Sequence, residues 1–238
     1  MITRLKRFNY ANIDCKSSIL VKGYSEAESV NIGCFGYYLE KDGKKIIVDT
    51  GIENIDIVNM TKSSTDDWKR GEDGMCITDN RKGIGVSADE IDDVYLTHSH
   101  YDHISGVCHF ENARIHISKQ EYYYLQLKNN PHNKYLTDVI DFLNRKKLSG
   151  KLNLIENEYS NNDVTCKVVG GHTVGSMLVL IEEFLFTGDS IFLLESIEKN
   201  LPIGFSNEEE NSLHALNLCR KHKGIVLTGH DFECVEEI

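Results

Sequence analysis

Thr97-His98-Ser99-His100-Tyr101-Asp102-His103 places three imidazoles and a carboxylate within six consecutive residues, at the end of a stretch, Asp93 to Thr97, that reads as a strand. In extended backbone, residues two apart project to the same side, so His98 and His100 can reach one metal ion. Where the chain turns, Asp102 and His103 can face a second. Three more positions supply partners: His172 in Gly170-Gly171-His172-Thr173, Asp189 in Phe186-Thr187-Gly188-Asp189-Ser190, and His230 in Leu227-Thr228-Gly229-His230-Asp231. Each follows an expected strand and stands beside glycine, which permits the sharp turns that let loops at one edge of a sheet converge. Taken singly, any of the three reads equally well as a turn or surface residue.

Around these positions the chain alternates in character. Gly36 to Leu39 and Lys45 to Val48 read as a hairpin about Lys41-Asp42-Gly43, ending at Asp49-Thr50-Gly51. Residues 52 to 86 are polar and irregular. Ser87 with Glu90, and Ser118 with Glu121, have capping-box spacing; the second opens a helix through Tyr122-Tyr123-Tyr124 and Leu125. A further helix is expected over Tyr135 to Lys147. Strands follow at Thr165 to Val169, Met177 to Ile181 and Phe184 to Thr187. A last helix, capped by Ser206 with Glu209, ends near Gly224 and precedes the strand Ile225 to Thr228. The order of strands, helices, strands, then helix and strand suggests two packed sheets with helices outside rather than a doubly wound parallel sheet.

Composition narrows the functional classes. The 238 residues allow one sizeable core and a single domain over 1–238, with 40% hydrophobic content. Acidic residues outnumber basic ones by 37 to 26, and the longest basic run is Arg145-Lys146-Lys147, so no nucleic-acid partner is expected. Neither a signal peptide nor a membrane span can be read in the chain. The seven scattered cysteines lack a CxxC pair and suit reduced thiols, hence a cytoplasmic setting. Nothing in the sequence fixes the oligomeric state.

HxHxDH followed by GH, TGDS and a late GHD resembles the metallo-β-lactamase superfamily over residues 33 to 231. The resemblance implies an α/β fold of the four-layered αββα sandwich type. It also implies a ligand set: His98, His100 and His172 for one divalent ion, Asp102, His103 and His230 for another, and Asp189 bridging them. Asp49 in Val48-Asp49-Thr50-Gly51 would orient a ligand, although a simple turn role suits it as well. Two ions could lower the pKa of a shared water, so that a metal-bridging hydroxide attacks an acyl carbon while Asp102 passes a proton to the leaving atom. Imidazole and carboxylate ligands suit zinc first, with iron or manganese as alternatives.

Within the superfamily, Asp189 separates the chain from the enzymes that open β-lactams, which usually carry cysteine or serine there. His100 separates it from the diiron oxygen-reducing members, which carry a glutamate within the motif. The sequence ends eight residues after His230, so the glutathione-binding helical domain of glyoxalase-II-like thioesterases is not expected. The pattern is closest to the compact N-acyl homoserine lactonase-like branch, which implies a small-molecule lactone, ester or similar acyl substrate. Those lactonases commonly carry a tyrosine three residues after the bridging aspartate, and this chain has Phe192. A thioesterase, a phosphodiesterase, and a mononuclear iron oxidoreductase of the persulfide dioxygenase type stand as alternatives. For His109, His116, His132, His214 and His222, and for Tyr122 to Tyr124, packing or surface roles are expected.

Overall fold

The computed structural model describes residues 1–61, 67–73, 85–127 and 133–237. Its elements in chain order are β1 (Ile2–Lys16), α1 (Ser17–Leu20), β2 (Ser29–Lys41), β3 (Lys44–Val48), α2 (Ile55–Thr61), β4 (Lys69–Arg70), β5 (Asp93–Tyr95), α3 (Tyr101–Ile104), β6 (Arg114–Ser118) and α4 (Lys119–Leu125). They continue with α5 (Asn133–Leu148), β7 (Leu152–Ile155), β8 (Glu158–Ser160), β9 (Thr165–Val168), β10 (Met177–Ile181), β11 (Phe184–Gly188), α6 (Leu194–Lys199), α7 (Glu209–Lys221) and β12 (Ile225–Thr228). The two sheets run β4-β1-β2-β3-β5-β6-β7 and β12-β11-β10-β9-β8.

Alternation along the strands stacks the layers. In β3, Ile46 and Val48 face inward with Phe35, Tyr37 and Leu39 of β2. They meet Met177, Val179 and Ile181 of β10 and Phe184 and Phe186 of β11 from the other sheet. Ile47, Val94, Ile115 and Ile117 point the opposite way, onto Leu125 of α4 and Val139, Phe142 and Leu143 of α5. On the far side, Leu178 and Leu185 pack on Ala215, Leu216 and Cys219 of α7. Helix, sheet, sheet, helix is therefore the layer order, as the sequence implied. Each large apolar side chain so enclosed contributes about 2 to 3 kcal/mol relative to exposure.

Local chemistry explains the connections. Asp42 and Gly43 both take positive φ, 50° and 82°, which closes β2 onto β3 in a two-residue turn. Ser87 donates its N–H to Glu90 Oε2 at 2.9 Å, the reverse arm of the expected capping box. Glu121 N–H donates to Ser118 Oγ at 3.1 Å and so caps α4.

Several expectations need correction. Residues 1 to 30 carry the 15-residue strand β1, paired along β2, which sequence reading missed because Arg4, Lys6 and Arg7 break up its apolar rhythm. The stretch expected to be irregular holds α2 and β4, while 62–66 and 74–84, with Cys76, lie outside the described residues, as does His132. The strand before the histidines ends at Tyr95 rather than Thr97. Ser206 does not cap α7, which begins at Glu209. Its hydroxyl instead donates to Gly171 O at 3.0 Å and bonds Ser212 Oγ at 2.6 Å, holding the Gly-Gly-His loop.

Among the described residues, no helix is long and apolar enough to cross a membrane. Cys15, Cys34, Cys108, Cys166, Cys219 and Cys234 are free thiols.

Candidate metal centre

The cluster sits where strand ends from both sheets meet. After β5 the chain is pinned: Leu96 N–H donates to His116 O at 2.9 Å, and Thr97 N–H donates to Asp49 Oδ1 at 2.8 Å. Asp49 follows β3 directly, with φ 59°. Its Oδ2 accepts from Thr97 Oγ1 at 2.7 Å and lies 2.9 Å from His103 Nδ1. His100 is in extended backbone, and the single turn α3 carries Asp102 and His103, the turn that the sequence reading placed there.

The remaining members arrive on tight turns. Gly170 and Gly171 take φ of 66° and 92° ahead of His172. A Cβ on Gly171 would lie 2.8 Å from the Ser212 backbone nitrogen, so only glycine fits that approach. Asp189 follows β11 and His230 follows β12. All seven expected residues thus converge, in two groups: His98, His100, His172 and Asp189, and Asp102, His103 and His230. Within each group the candidate donor atoms lie within 4.8 Å of one another.

Asp189 joins the groups. Its Oδ2 is 3.6 Å from His98 Nε2 and 3.2 Å from His172 Nε2, while its Oδ1 is 3.0 Å from His103 Nε2 and 2.9 Å from His230 Nε2. His172 Nε2 is 2.9 Å from His100 Nδ1, and His103 Nε2 is 3.3 Å from His230 Nε2. Asp102 Oδ2 stands further off, 3.7 Å and 3.9 Å from the last two nitrogens. Despite these short approaches, His98 Nε2 and Asp189 Oδ1 are buried without a hydrogen-bond partner.

These features fit divalent ions. Zinc–nitrogen bonds of about 2.0 to 2.1 Å at tetrahedral angles set donors about 3.3 to 3.4 Å apart, close to the separations seen. A buried imidazole nitrogen and a buried carboxylate oxygen left without hydrogen-bond partners are costly unless a cation satisfies them. The ring nitrogens facing away from the cluster have their own partners. His103 Nδ1 meets Asp49, His172 Nδ1 lies 3.3 Å from Phe205 O, and His230 Nδ1 lies 2.5 Å from Gly33 O. Such bonds fix the tautomer that presents Nε2 to the centre. Phe205 and Gly33 act through backbone carbonyls, for which the sequence carries no signal.

The electrostatics follow from burial and from the mutual proximity of these groups. Burial opposes charge on Asp189, but His103, His230, His98 and His172 outweigh it and hold the carboxyl well below its ordinary range. Burial, reinforced by His103, holds His98 well below the usual imidazole value. His103 goes the other way: burial is outweighed by Asp189 and Asp102, which raise it well above. His230 is raised by Asp189 against the same burial. A proton on His103 or His230 competes with a metal ion, and their raised values keep that competition active to higher pH. Metal affinity of this group is therefore expected to rise with pH, by about tenfold per unit for each proton displaced. Calorimetric titration of metal-free protein across pH checks this, and a flat profile would contradict it.

Phe192 stands over both groups, its ring 5.4 Å from that of His172 and 5.5 Å from that of His230. Leu20, Ile32 and Ile203 pack behind it. A cavity of about 490 Å³ opens beside the cluster, lined by His230, Leu193, Leu194 and Phe232 together with the carboxylates of Glu195 and Asp231. Tyr122 is buried and donates to Asn144 at 2.7 Å, while Tyr123 is exposed, so the tyrosine run serves packing and surface. His109 pairs with Glu53 and His116 with Asp93, away from the centre.

Comparison with known proteins agrees with this geometry. A probable metallo-hydrolase of Methanocaldococcus jannaschii is 28% identical over 148 residues, 62% of this chain and 61% of that protein's length. An N-acyl homoserine lactonase of Bacillus cereus is 27% identical over 218 residues, covering 86% of this chain and 83% of the lactonase. A solved N-acyl homoserine lactone hydrolase, with product N-hexanoyl-L-homoserine at its catalytic metal centre, superposes with a TM-score of 0.77 at 21% identity. It covers 98% of this chain and 95% of that one. The family model described as metallo-beta-lactamase superfamily matches residues 32–230, from just before the Gly33 carbonyl to His230 itself, and the chain belongs to that family.

Proposed function

We propose that the chain is a dinuclear metal-dependent hydrolase of lactones or related carboxylic esters. One observation carries the dinuclear reading: the two oxygens of Asp189 face different imidazole groups, Oδ2 toward His98 and His172 and Oδ1 toward His103 and His230. His98, His100 and His172 would hold one ion, Asp102, His103 and His230 the other, and Asp189 both. Zinc is the expected ion, since imidazole and carboxylate donors at these separations suit it. Two such ions would supply Lewis acidity and an activated water, which removes any need for a side-chain nucleophile.

The chain's own residues shape the rest. Asp49 keeps His103 directed inward, and Gly33 O does the same for His230. Asp102, set further from the imidazoles than Asp189, would take up the proton given up by the attacking water and pass it to the leaving oxygen. Phe192 covers both groups and limits water, while the half-exposed Val174 and Phe205 make the rim near His172 apolar. An apolar rim, the cavity beside His230 and the acidic balance of 37 against 26 favour a neutral acyl compound over a phosphodiester. The similarity to the lactonases named above points the same way.

A panel of lactones, simple esters, phosphodiesters, β-lactams and glutathione thioesters, assayed at saturating metal, tests the substrate class. Lactones or esters are expected to turn over fastest. If phosphodiesters are the best substrates and esters are inert, the acyl assignment is wrong.

Phe192 sharpens the test. Phe192→Tyr would place a phenol over the centre, where it can donate to an acyl carbonyl. It is expected to raise kcat/KM on simple lactones by up to roughly tenfold, the effect of about 1.4 kcal/mol in the transition state. Unchanged or lower turnover on every lactone tried would show that these are not close to the natural substrate.

A further inference from the structure

Glu121 lies in the first turn of α4, outside the ligand set, and its side chain is fully buried. Capping-box spacing would send its carboxylate back to the Ser118 N–H, but it points elsewhere. Oε2 accepts the Ser99 N–H at 2.9 Å and also a very short bond from Ser99 Oγ. Oε1 accepts the Gly175 N–H at 2.8 Å. Ser99 stands between His98 and His100, and Gly175 follows His172 by three residues. One carboxylate therefore bridges the two loops that carry three imidazoles of one group. Among the described residues it forms no ion pair, so its burial is offset by these donors alone.

The surrounding packing agrees. A Cβ on Gly175 would meet Ser118 Oγ at 2.2 Å and Glu121 N at 2.8 Å, so the His172 loop is seated directly on the start of α4. The same loops meet again where Met177 N–H donates to Thr97 O at 2.8 Å. His103 and His230, by contrast, are held by Asp49 and Gly33, on other elements. An apolar residue would fill the Glu121 site at lower desolvation cost but could not tie two backbone N–H groups together.

We propose that Glu121 is a positioning residue that sets the His98, His100 and His172 group by fixing the Ser99 and Gly175 backbone. This rests on the dinuclear reading above. The conservative change Glu121→Gln keeps the shape but leaves one acceptor oxygen, and turns an NH₂ toward one of the two N–H donors.

The test titrates cobalt(II) into the metal-free full chain and compares Glu121→Gln with the unaltered protein. One of two cobalt ions is expected to bind about 10- to 100-fold more weakly, with the other within about twofold. In metal-free protein, amide hydrogen exchange over residues 98–100 and 172–176 is expected to accelerate at least about tenfold, with circular dichroism unchanged. Ser99→Ala loses only the hydroxyl bond and should move both readouts the same way by less, which covers the case in which the glutamine variant fails to fold. Unchanged cobalt binding and unchanged exchange in a folded variant would overturn the proposal, as would equal weakening of both ions. If the unaltered protein takes up no cobalt, the metal reading fails, while the exchange comparison still decides whether Glu121 holds the loops.

Discussion

Asp189→Ala is expected to lower kcat/KM by about a thousandfold, about 4 kcal/mol of transition-state stabilisation, and to weaken metal uptake at both groups. The reason is geometric. Each carboxylate oxygen lies within 3.6 Å of two imidazole nitrogens, and the pairs belong to different groups. In the proposed dinuclear centre, removing the carboxylate would take one donor from each ion and leave four imidazoles crowded with no Asp189 carboxylate between them. Alanine also removes the charge that raises His103 and His230, so those imidazoles become easier to deprotonate. The resulting gain in unprotonated ligand at neutral pH is small beside the loss of a shared donor. Metal content and kinetics on the same preparation, with circular dichroism as a folding control, check the expectation. Loss of a single ion with activity intact would contradict it.

Asp49→Ala should give the largest loss among residues that do not contact the ions. Asp49 is buried and accepts from Thr97 N–H and Thr97 Oγ1, with His103 Nδ1 at 2.9 Å. Alanine strands these donors, which costs about 3 to 5 kcal/mol of stability, and strains a position with φ 59°. The freed His103 ring can adopt the other tautomer or rotate, so affinity for the ion proposed to bind at Asp102, His103 and His230 is expected to fall about 10- to 100-fold. Asp49→Asn separates the two effects. Asparagine tolerates positive φ and keeps one acceptor, so stability should recover in part, while control of the His103 tautomer remains impaired. Thermal unfolding and cobalt titration of both variants check this. An alanine variant as stable as the parent, with both ions bound normally, would contradict it.

How much of this was legible in the sequence differs by physical cause. The candidate ligand residues stood out because chelation demands rare residue types at short spacing, as in His98 to His103, and because glycine precedes His172 and Asp189 at positive φ and His230 where a Cβ would meet His103 Cε1 at 2.8 Å. The inner strands were legible where both faces are apolar, as in Ile46-Ile47-Val48 and Met177 to Ile181. β1 was not, since partly exposed Arg4 and Lys6 on one face and Arg7 on the other interrupt its apolar alternation, and its pairing depends on β2, remote in sequence. The short helix α6 also escaped, lacking a side-chain cap at Leu193. Ser118 and Glu121 had the right spacing for a cap, and Ser118 does cap. The partners of the Glu121 carboxylate come from loops 22 and 54 residues away, and no local pattern records them. Ser206 misled for the same reason: its hydroxyl satisfies Gly171 O across the fold rather than the helix that follows.

The central claim is that one carboxylate, Asp189, joins two metal sites, and metal counting on purified protein tests it most directly. Inductively coupled plasma mass spectrometry, after supplementation with zinc and removal of loosely bound ions, should give close to two transition-metal ions per chain. A value that stays at one under supplementation, or at none, would contradict the dinuclear centre.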